Sequence, residues 1–262
     1  MSESRLAERW RAARSERRAA LIPYLPAGFP DPVTFVAAAR EAAAAGADIL
    51  EVGVPFSDPL ADGPVIQRAT HAALAQGIGV AGTLELIARA GLPVPVVVMT
   101  YLNPVLAYGV DRFLADAAAA GVAGVLLTDL PAGADPGLED RVAAGPLAFV
   151  RLIAPTTPAE RVSLAVRRAS GFVYLISRLG VTGVSQGLPA GLPEHVARIR
   201  AASDLPVAVG FGIGTGAQAA ATGRIADGVV VGSALVEILG REGVPGVRRL
   251  VAELARGVRG AA

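Results

Sequence analysis

The chain has 262 residues, of which 53% are hydrophobic, and its 24 basic and 23 acidic residues give a formal net charge of +1. This balance, with basic residues scattered along the chain, argues against nucleic acid or an anionic membrane as a partner. The chain has no cysteine and no lysine, which excludes disulfides, thiolate nucleophiles and Schiff bases on lysine, including those with pyridoxal phosphate. Its two histidines argue against a multi-histidine metal site, so we expect no metal and no cofactor.

The first 18 residues form a charged segment in which Leu6, Trp10 and Ala13 are spaced to share one helical face. We predict an amphipathic helix over residues 4–18, within an N-terminal capping segment, 1–18, of a single domain that spans the whole chain. The segment lacks the apolar core of a signal peptide, and we expect a cytoplasmic protein. Apolar runs elsewhere are well below the roughly 20 residues that cross a bilayer.

Eight short apolar runs alternate with helical patterns along the chain. The predicted strands are residues 20–25, the run that ends at Glu51, and residues 93–99, 121–127, 147–153, 171–177, 205–209 and 227–231. The predicted helices are residues 33–45, 65–75, 83–90, 111–120, 138–144, 157–169 and 193–202, a short helix after residue 215, and closing helices from residue 232. This alternation predicts an α/β fold, a single-domain (β/α)8 TIM barrel with an extra N-terminal helix. A doubly wound open sheet is the alternative, although no dinucleotide fingerprint follows the first strand.

Two acidic residues come at and after the end of the second predicted strand. Glu51 ends an apolar run, where an ionised carboxylate is unfavourable unless it is paired or has a function. Asp62 lies in the loop that follows, which is rich in proline and glycine. Acidic residues at the carboxyl ends of barrel strands are typical of catalytic sites, and two carboxylates in different environments suit proton transfer. The structural alternative is a Glu51 bound by backbone amides and an Asp62 that caps the next helix.

Glycine-rich loops follow the seventh and eighth predicted strands, where TIM barrels commonly bind phosphate. Residues 210–214 read Gly-Phe-Gly-Ile-Gly, and Gly232 precedes Ser233 at the start of a helix. Unobstructed amides, a helix amino end and a serine hydroxyl can bind an anion in a chain without lysine. We predict a phosphate site from these two loops, joined by Gly183. The long glycine-bearing loop 178–191 is predicted to order over a ligand as a lid.

Seven segments, in order along the chain, carry distinctive motifs. The longest reads Leu-Glu-Val-Gly-Val-Pro-Phe-Ser-Asp-Pro-Leu-Ala-Asp-Gly-Pro at residues 50–64. The others are residues 99–104, 129–131, 174–178, 180–183, 209–213 and 231–234. Together they resemble the tryptophan synthase alpha chain family. The resemblance implies cleavage of indole-3-glycerol phosphate to indole and glyceraldehyde 3-phosphate, a retro-aldol step of tryptophan synthesis, and a tryptophan synthase beta chain as partner in an alpha2-beta2 heterotetramer.

The resemblance also implies a role for each residue that matches the family's motifs by position. Glu51 and Asp62 match the two catalytic carboxylates. The residues that it implies in substrate binding are Tyr174, Thr182, Gly183, Phe211, Gly212, Gly232 and Ser233. The residues that it implies in contact with the beta chain are Pro55, Phe56, Asp58, Pro59, Asn103 and Pro104, the last two in a turn.

Carboxylates alone can perform the chemistry that this resemblance implies. Cleavage needs protonation of a ring carbon and loss of a hydroxyl proton, and without lysine or metal the carboxylates supply this acid–base catalysis. We expect Glu51 to shuttle both protons, and Asp62, kept ionised by loop amides and solvent, to stabilise positive charge on the ring nitrogen. The alternatives are a phosphosugar isomerase or epimerase on the same barrel, a non-catalytic chain that activates a beta chain, and a stand-alone lyase that releases free indole.

Overall fold

The structure is a computed structural model that describes residues 5–176, 188, 191–210 and 212–260. Within these residues, eight strands alternate with helices along the chain. The strands are β1 (Ala20–Pro26), β2 (Leu50–Gly53), β3 (Val96–Thr100), β4 (Val122–Leu127), β5 (Ala148–Ile153), β6 (Val173–Ile176), β7 (Val207–Gly210) and β8 (Gly228–Val231). The helices are α1 (Arg5–Ser15), α2 (Pro32–Ala44), α3 (Pro64–Leu74), α4 (Val80–Ala90), α5 (Leu102–Tyr108), α6 (Val110–Ala119), α7 (Pro136–Ala143), α8 (Ala159–Val166), α9 (Leu192–Arg200), α10 (Gly216–Gly223) and α11 (Ser233–Arg259), the last kinked at Gly243.

The eight strands close into one parallel barrel, in which each strand pairs with its neighbours in sequence and β1 pairs with β8. Closure confirms the predicted TIM barrel and excludes the doubly wound open sheet. The pairing places Tyr24, Glu51 and Val97 side by side on β1, β2 and β3. Because side chains alternate across each strand, this register decides which residues share a layer of the barrel interior.

Two hydrophobic layers stabilise the barrel, one on each face of the strands. Inside, Ile22, Val97 and Leu126 belong to the cluster that fills the amino-terminal half. Outside, side chains such as Val98 pack against helix residues such as Phe35. Strands that are covered on both faces give continuous apolar runs, the pattern from which they were predicted. Within the described residues, no helix is both long enough and apolar enough to cross a membrane.

Helix α1 closes the amino-terminal end of the barrel. Leu6, Trp10 and Ala13 are buried along one of its faces, as their spacing predicts. The Trp10 ring packs against Phe172, which lies just before β6, with 5.4 Å between the ring centroids. The helix ends at Ser15, earlier than predicted. Its apolar face therefore forms the floor of the barrel core.

The segment after β3 is the clearest local difference from the prediction. Asn103 and Pro104, predicted in a turn, lie in the first turn of α5. The Leu102 amide at the start of this helix donates a hydrogen bond of 2.6 Å to the Asp129 carboxylate in the loop after β4. Proline fits this position because first-turn amides have no acceptor within their own helix. A capping residue that comes from a neighbouring loop leaves no local sequence signal, which explains the wrong prediction.

Replacing Leu6 by alanine tests the contribution of α1 to the barrel. Leu6 is fully buried, so Leu6→Ala is expected to lower the free energy of unfolding by about 2–5 kcal/mol, through lost apolar burial and the cavity that remains. Unfolding in denaturant, followed by circular dichroism, measures the change. Leu60→Ala is the matched control, because Leu60 is 90% exposed and its truncation should be nearly neutral. Equal stabilities for the two variants would contradict the closing role of α1.

Candidate active site

A cavity of about 150 Å³ lies at the carboxyl ends of the strands. This is the end of a TIM barrel at which active sites are built from the loops after the strands. The cavity brings together residues that were predicted from separate parts of the chain: Glu51, Asp62, Tyr174, Gly212, Gly232 and Ser233. The barrel therefore gathers the predicted carboxylates and part of the predicted phosphate site around one space.

Glu51 lies on β2 with its side chain in the barrel interior, where it is 2% exposed. Its Oε1 atom has no hydrogen-bond partner in the described part of the chain, so the alternative of a glutamate bound by backbone amides is not supported. Burial, and after it the charge of Asp62, raises the pKa of Glu51 from 4.5 to about 8. Glu51 is therefore mainly protonated at neutral pH and can act as a proton donor.

Asp62 lies between β2 and α3 and is 6% exposed. It does not cap α3, because the N-cap of that helix is Gly63, without a side-chain hydrogen bond. Its Oδ2 atom accepts a hydrogen bond of 3.2 Å from the Tyr101 hydroxyl. Burial raises the pKa of Asp62 to about 6, and the bond from Tyr101 limits this rise. Asp62 is therefore mainly ionised at neutral pH, as expected, but its anion is favoured by a buried phenol hydroxyl and not by loop amides and solvent.

Tyr101 connects the Asp62 loop to the end of β3, and its role was missed at the sequence level. Its hydroxyl donates to Asp62 and accepts a hydrogen bond of 2.9 Å from the Ala61 amide. Its ring packs on Phe56, with 5.2 Å between the centroids. Tyr101 directly follows a strand, so the strand-end position that drew attention to Glu51 could also have identified it.

Two buried tyrosines flank the carboxylates. Tyr174 on β6 was predicted near the substrate and lines the cavity, whereas Tyr24 on β1 lines it but was missed. Each ring lies against a glycine at a strand end, because a Cβ atom at Gly53 would overlap the Tyr24 hydroxyl and one at Gly210 would overlap that of Tyr174. Burial, and then the nearby carboxylates, raises the pKa of both phenols well above 10. Both hydroxyls thus stay protonated and uncharged.

Further lining residues give the cavity an apolar wall. Ile66, Met99, Leu152 and Ile176 contribute apolar side chains, and Thr128 adds a hydroxyl. Inward-facing strand positions such as Met99 and Leu152 could have been found from the alternation of side chains along a strand. An apolar wall next to two carboxylates suits a ligand whose flat apolar part lies beside the site of proton transfer.

Among the described residues predicted to bind phosphate, Gly232 and Ser233 lie at a helix amino end, and Gly212 lies in the loop before another helix. Gly232 is the N-cap of α11 and Ser233 is its first residue, and first-turn amides of a helix have no acceptor within it. Gly212 precedes α10, which begins with a capping box between Thr215 and Gln218. Backbone amides and helix dipoles can hold an anion here without a basic side chain. Phosphate binding by these residues stays a prediction.

Some predictions fall outside the described residues. These are Thr182, Gly183 and Phe211, together with nearly all of the predicted lid at 178–191. Within the described ranges, no group of three or more histidine, aspartate or glutamate side chains is placed to hold a metal ion. The site as described is therefore built from carboxylates, phenols and backbone amides.

A family model described as tryptophan synthase alpha chain matches residues 10–257. The chain belongs to the tryptophan synthase alpha chain family. It is 50% identical over 260 residues to the alpha chain of Mycobacterium marinum, covering 98% of this chain and 95% of that one. It is 49% identical over 240 residues to the alpha chain of a Caulobacter species, covering 90% of this chain and 87% of that one. Its fold is similar to a chain of Mycobacterium tuberculosis tryptophan synthase, with a TM-score of 0.91, 46% identity and coverage of 98% and 99%.

Membership of the tryptophan synthase alpha chain family confirms the resemblance found in the sequence motifs. The match to the family model extends from within α1 to the last turn of α11, so it includes both catalytic candidates and both phosphate loops. A phosphosugar isomerase or epimerase on the same barrel is therefore no longer supported.

The residues matched to beta-chain contacts differ in exposure in this alpha-chain structure. Asp58 and Asn103 are exposed, Phe56 and Pro104 are half-buried, and Pro55 and Pro59 are buried. Two leucines that were missed, Leu60 and Leu106, are 90% and 51% exposed beside them. Exposed leucines next to the loop of Asp62 suit a protein contact. Contact with a partner at these residues stays a prediction.

Burial of Glu51 predicts that the protein becomes less stable as the pH rises. Below pH 4.5 this residue is protonated in both folded and unfolded chains, whereas between pH 4.5 and about 8 only the folded chain keeps the proton. Glu51→Gln mimics the protonated side chain, so its free energy of unfolding should exceed that of the wild type by a growing margin over this range. Near pH 8 the margin should reach ~3–5 kcal/mol, because the pKa of Glu51 rises from 4.5 to about 8 on folding and each pKa unit is worth about 1.4 kcal/mol.

Denaturant unfolding at a series of pH values measures this difference. Glu85→Gln, on the exposed face of α4, is the control and should show no growing margin. A constant difference between Glu51→Gln and the wild type from pH 4.5 to 8 would show that Glu51 titrates normally.

Proposed function

We propose that this chain cleaves indole-3-glycerol phosphate to indole and glyceraldehyde 3-phosphate as the alpha subunit of tryptophan synthase, with Glu51 and Asp62 as its catalytic carboxylates. The observation that carries the proposal is the pair of buried carboxylates in one cavity, whose pKa values are about 8 and about 6. Between these values Glu51 is mainly protonated and Asp62 mainly ionised. The two acids can therefore play different parts at the same pH.

Glu51 begins the reaction as a general acid. It donates its proton to the indole carbon that carries the glycerol phosphate chain, which makes the ring an electron acceptor. The positive charge that develops on the ring nitrogen is stabilised by the Asp62 anion. Burial of Asp62 strengthens this interaction, because water screens it less.

Glu51 then completes the reaction as a general base. Its newly formed carboxylate accepts the proton of the hydroxyl on the adjacent side-chain carbon, and that carbon becomes the aldehyde of glyceraldehyde 3-phosphate. The electrons of the broken carbon–carbon bond return to the ring, and neutral indole is released. Glu51 ends the cycle protonated, so one side chain moves both protons and no other group has to be reprotonated before the next turnover.

The rest of the cavity supports the binding of such a substrate. The apolar wall that includes Ile66 and Leu152 can receive the indole ring, and the amides near Gly212 and Gly232 can receive the phosphate. In this proposal Tyr174 lies beside the substrate, and Thr182, Gly183 and Phe211 contribute from the loops after β6 and β7.

The proposal includes a tryptophan synthase beta chain that receives the indole. The exposed surface around Asp58 and Asn103, with Leu60 and Leu106, is where we place that contact. It also treats the whole chain as one catalytic domain whose amino-terminal 18 residues act as a cap. Since the step consumes and supplies small metabolites of amino-acid synthesis, we place the protein in the cytoplasm.

Indole release from indole-3-glycerol phosphate tests the proposal, with the purified chain alone and with a beta chain added. We expect slow release that rises with the beta chain.

Glu51→Gln is expected to lower kcat by about 10²- to 10⁴-fold, as for a lost acid–base group, and Asp62→Asn should also lower it by removing the charge. Glu85→Gln is the control and should keep full activity. If the wild-type chain releases no indole either alone or with a beta chain, the proposed reaction is wrong. Equal release with and without the beta chain would indicate a stand-alone lyase.

The pH dependence of kcat/KM for indole release tests the two roles separately. The rate should fall below about pH 6, where Asp62 gains a proton, and above about pH 8, where Glu51 loses one. Tyr101→Phe removes the hydrogen bond that favours the Asp62 anion, so the acid limb should move to higher pH. Tyr108→Phe, which changes a tyrosine on α5 outside the cavity lining, should leave the profile unchanged. An unmoved acid limb in Tyr101→Phe would contradict the assignment of that limb to Asp62.

A further inference from the structure

A second cavity lies at the opposite, amino-terminal end of the barrel, between the end of α1 and the ends of α9 and α10. Its volume is about 230 Å³, larger than that of the candidate active site. Basic side chains dominate its charged lining, which consists of Arg14, Arg17, Arg18, Arg200, Arg224 and Asp227. A cavity with so many like charges calls for an explanation, since their mutual repulsion opposes folding.

Carboxylates compensate only part of this charge. Arg18 forms bonds of 2.7 and 2.8 Å with buried Asp48, and Arg200 lies 3.1 Å from Asp227. The side chains of Arg14, Arg17 and Arg224 form no ion pair or hydrogen bond within the described part of the chain. These three guanidinium groups are exposed at the cavity and keep their full donor capacity.

These arginines could instead have a purely structural role. Helices end at this side of the barrel, and a cation near the carboxyl end of a helix interacts favourably with the helix dipole. Arg14 is in the last turn of α1, and Arg224 follows the last residue of α10. Neither side chain donates a hydrogen bond to a terminal carbonyl among the described residues, however, as a capping cation would. The alternative also leaves Arg17 unexplained, since it lies beyond the end of α1.

Arg17 occupies a position where glycine is usually preferred. Its φ of 55° makes it the only non-glycine residue with positive φ in the described ranges. Backbone hydrogen bonds from Arg17 to Arg14 and from Arg18 to Ala13 form the usual left-handed end of a helix. An arginine at this position carries a conformational cost, and its guanidinium gains no bond among the described residues, but it adds a cation to the cavity.

Trp10 supplies a second, independent observation. Its side chain lines the cavity and the residue is 6% exposed, yet its indole N–H has no acceptor within the described residues. A Cβ at Gly228 would lie 2.7 Å from Cη2 of the ring, so the six-membered ring points towards the barrel strands. A buried donor without an acceptor is unfavourable unless another group satisfies it.

We propose that this cavity is a binding site for a small multivalent oxyanion, such as the diphosphate group of a metabolite, held by Arg14, Arg17 and Arg224. Arginine is suited to bidentate binding of phosphate oxygens. A cavity of about 230 Å³ has room for such a compact charged group. The site lies at the opposite end of the barrel from Glu51, so an anion here would not occupy the substrate cavity.

Titration with inorganic pyrophosphate at constant ionic strength tests the site, and Trp10 reports on it because it is the single tryptophan of the chain. Fluorescence and calorimetry should both show saturable binding to one site. Arg17→Gly is the sharpest variant, since glycine relieves the left-handed backbone while removing the cation, and the fold should be at least as stable. It and Arg224→Gln should each weaken binding by about tenfold, the usual effect of losing one charged hydrogen bond.

Arg89→Gln is the matched control, because Arg89 is an exposed arginine in the last turn of α4 that does not line the cavity. It should bind pyrophosphate like the wild type. Indole release should stay unchanged in all three variants, which separates this site from the proposed catalytic function. The proposal is overturned by the absence of saturable binding in calorimetry, by unchanged affinity in Arg17→Gly and Arg224→Gln, or by an equal loss in Arg89→Gln.

Discussion

The burial of one carboxyl group, that of Glu51, sets the constraint on which the site depends. An ionised carboxylate without a hydrogen-bond partner is unfavourable inside a barrel, so the side chain keeps its proton to about pH 8. That same proton is the one the proposed reaction needs. Burial of Glu51 therefore lowers the stability of the barrel at neutral pH, but it provides a side chain that can both donate and accept a proton. Such a compromise between stability and activity is often found at active sites.

Asp62 shows how a nearby carboxylate can stay more acidic in a similar setting. Burial raises the pKa of both carboxyl groups, but the hydrogen bond from Tyr101 limits the rise at Asp62, whereas the charge of Asp62 adds to the rise at Glu51. Tyr101 also holds the amide of Ala61, so the geometry of the loop and the charge of Asp62 depend on one phenol. The two acids differ through their contacts, and their positions in sequence do not predict the difference.

The sequence predicted the barrel and six of the residues that line its cavity, because both follow from patterns and motifs along the chain. Apolar runs located the strands, and strand-end positions located Glu51 and the loops of Gly212 and Gly232. The role of Tyr101 and the helical state of Asn103 were missed because both depend on contacts from distant segments. The pattern of apolar residues within one helix or strand does not indicate which hydrogen-bond partner a distant loop will provide.

The close fit between glycines and tyrosines has a consequence for how this sequence can diverge. Gly53 lies under the Tyr24 ring and Gly210 under the Tyr174 ring, with no room for a Cβ atom. A larger residue at either glycine becomes acceptable once its tyrosine has been replaced by a smaller side chain. Substitutions at these paired positions are therefore epistatic, and their order decides which evolutionary routes keep a folded barrel.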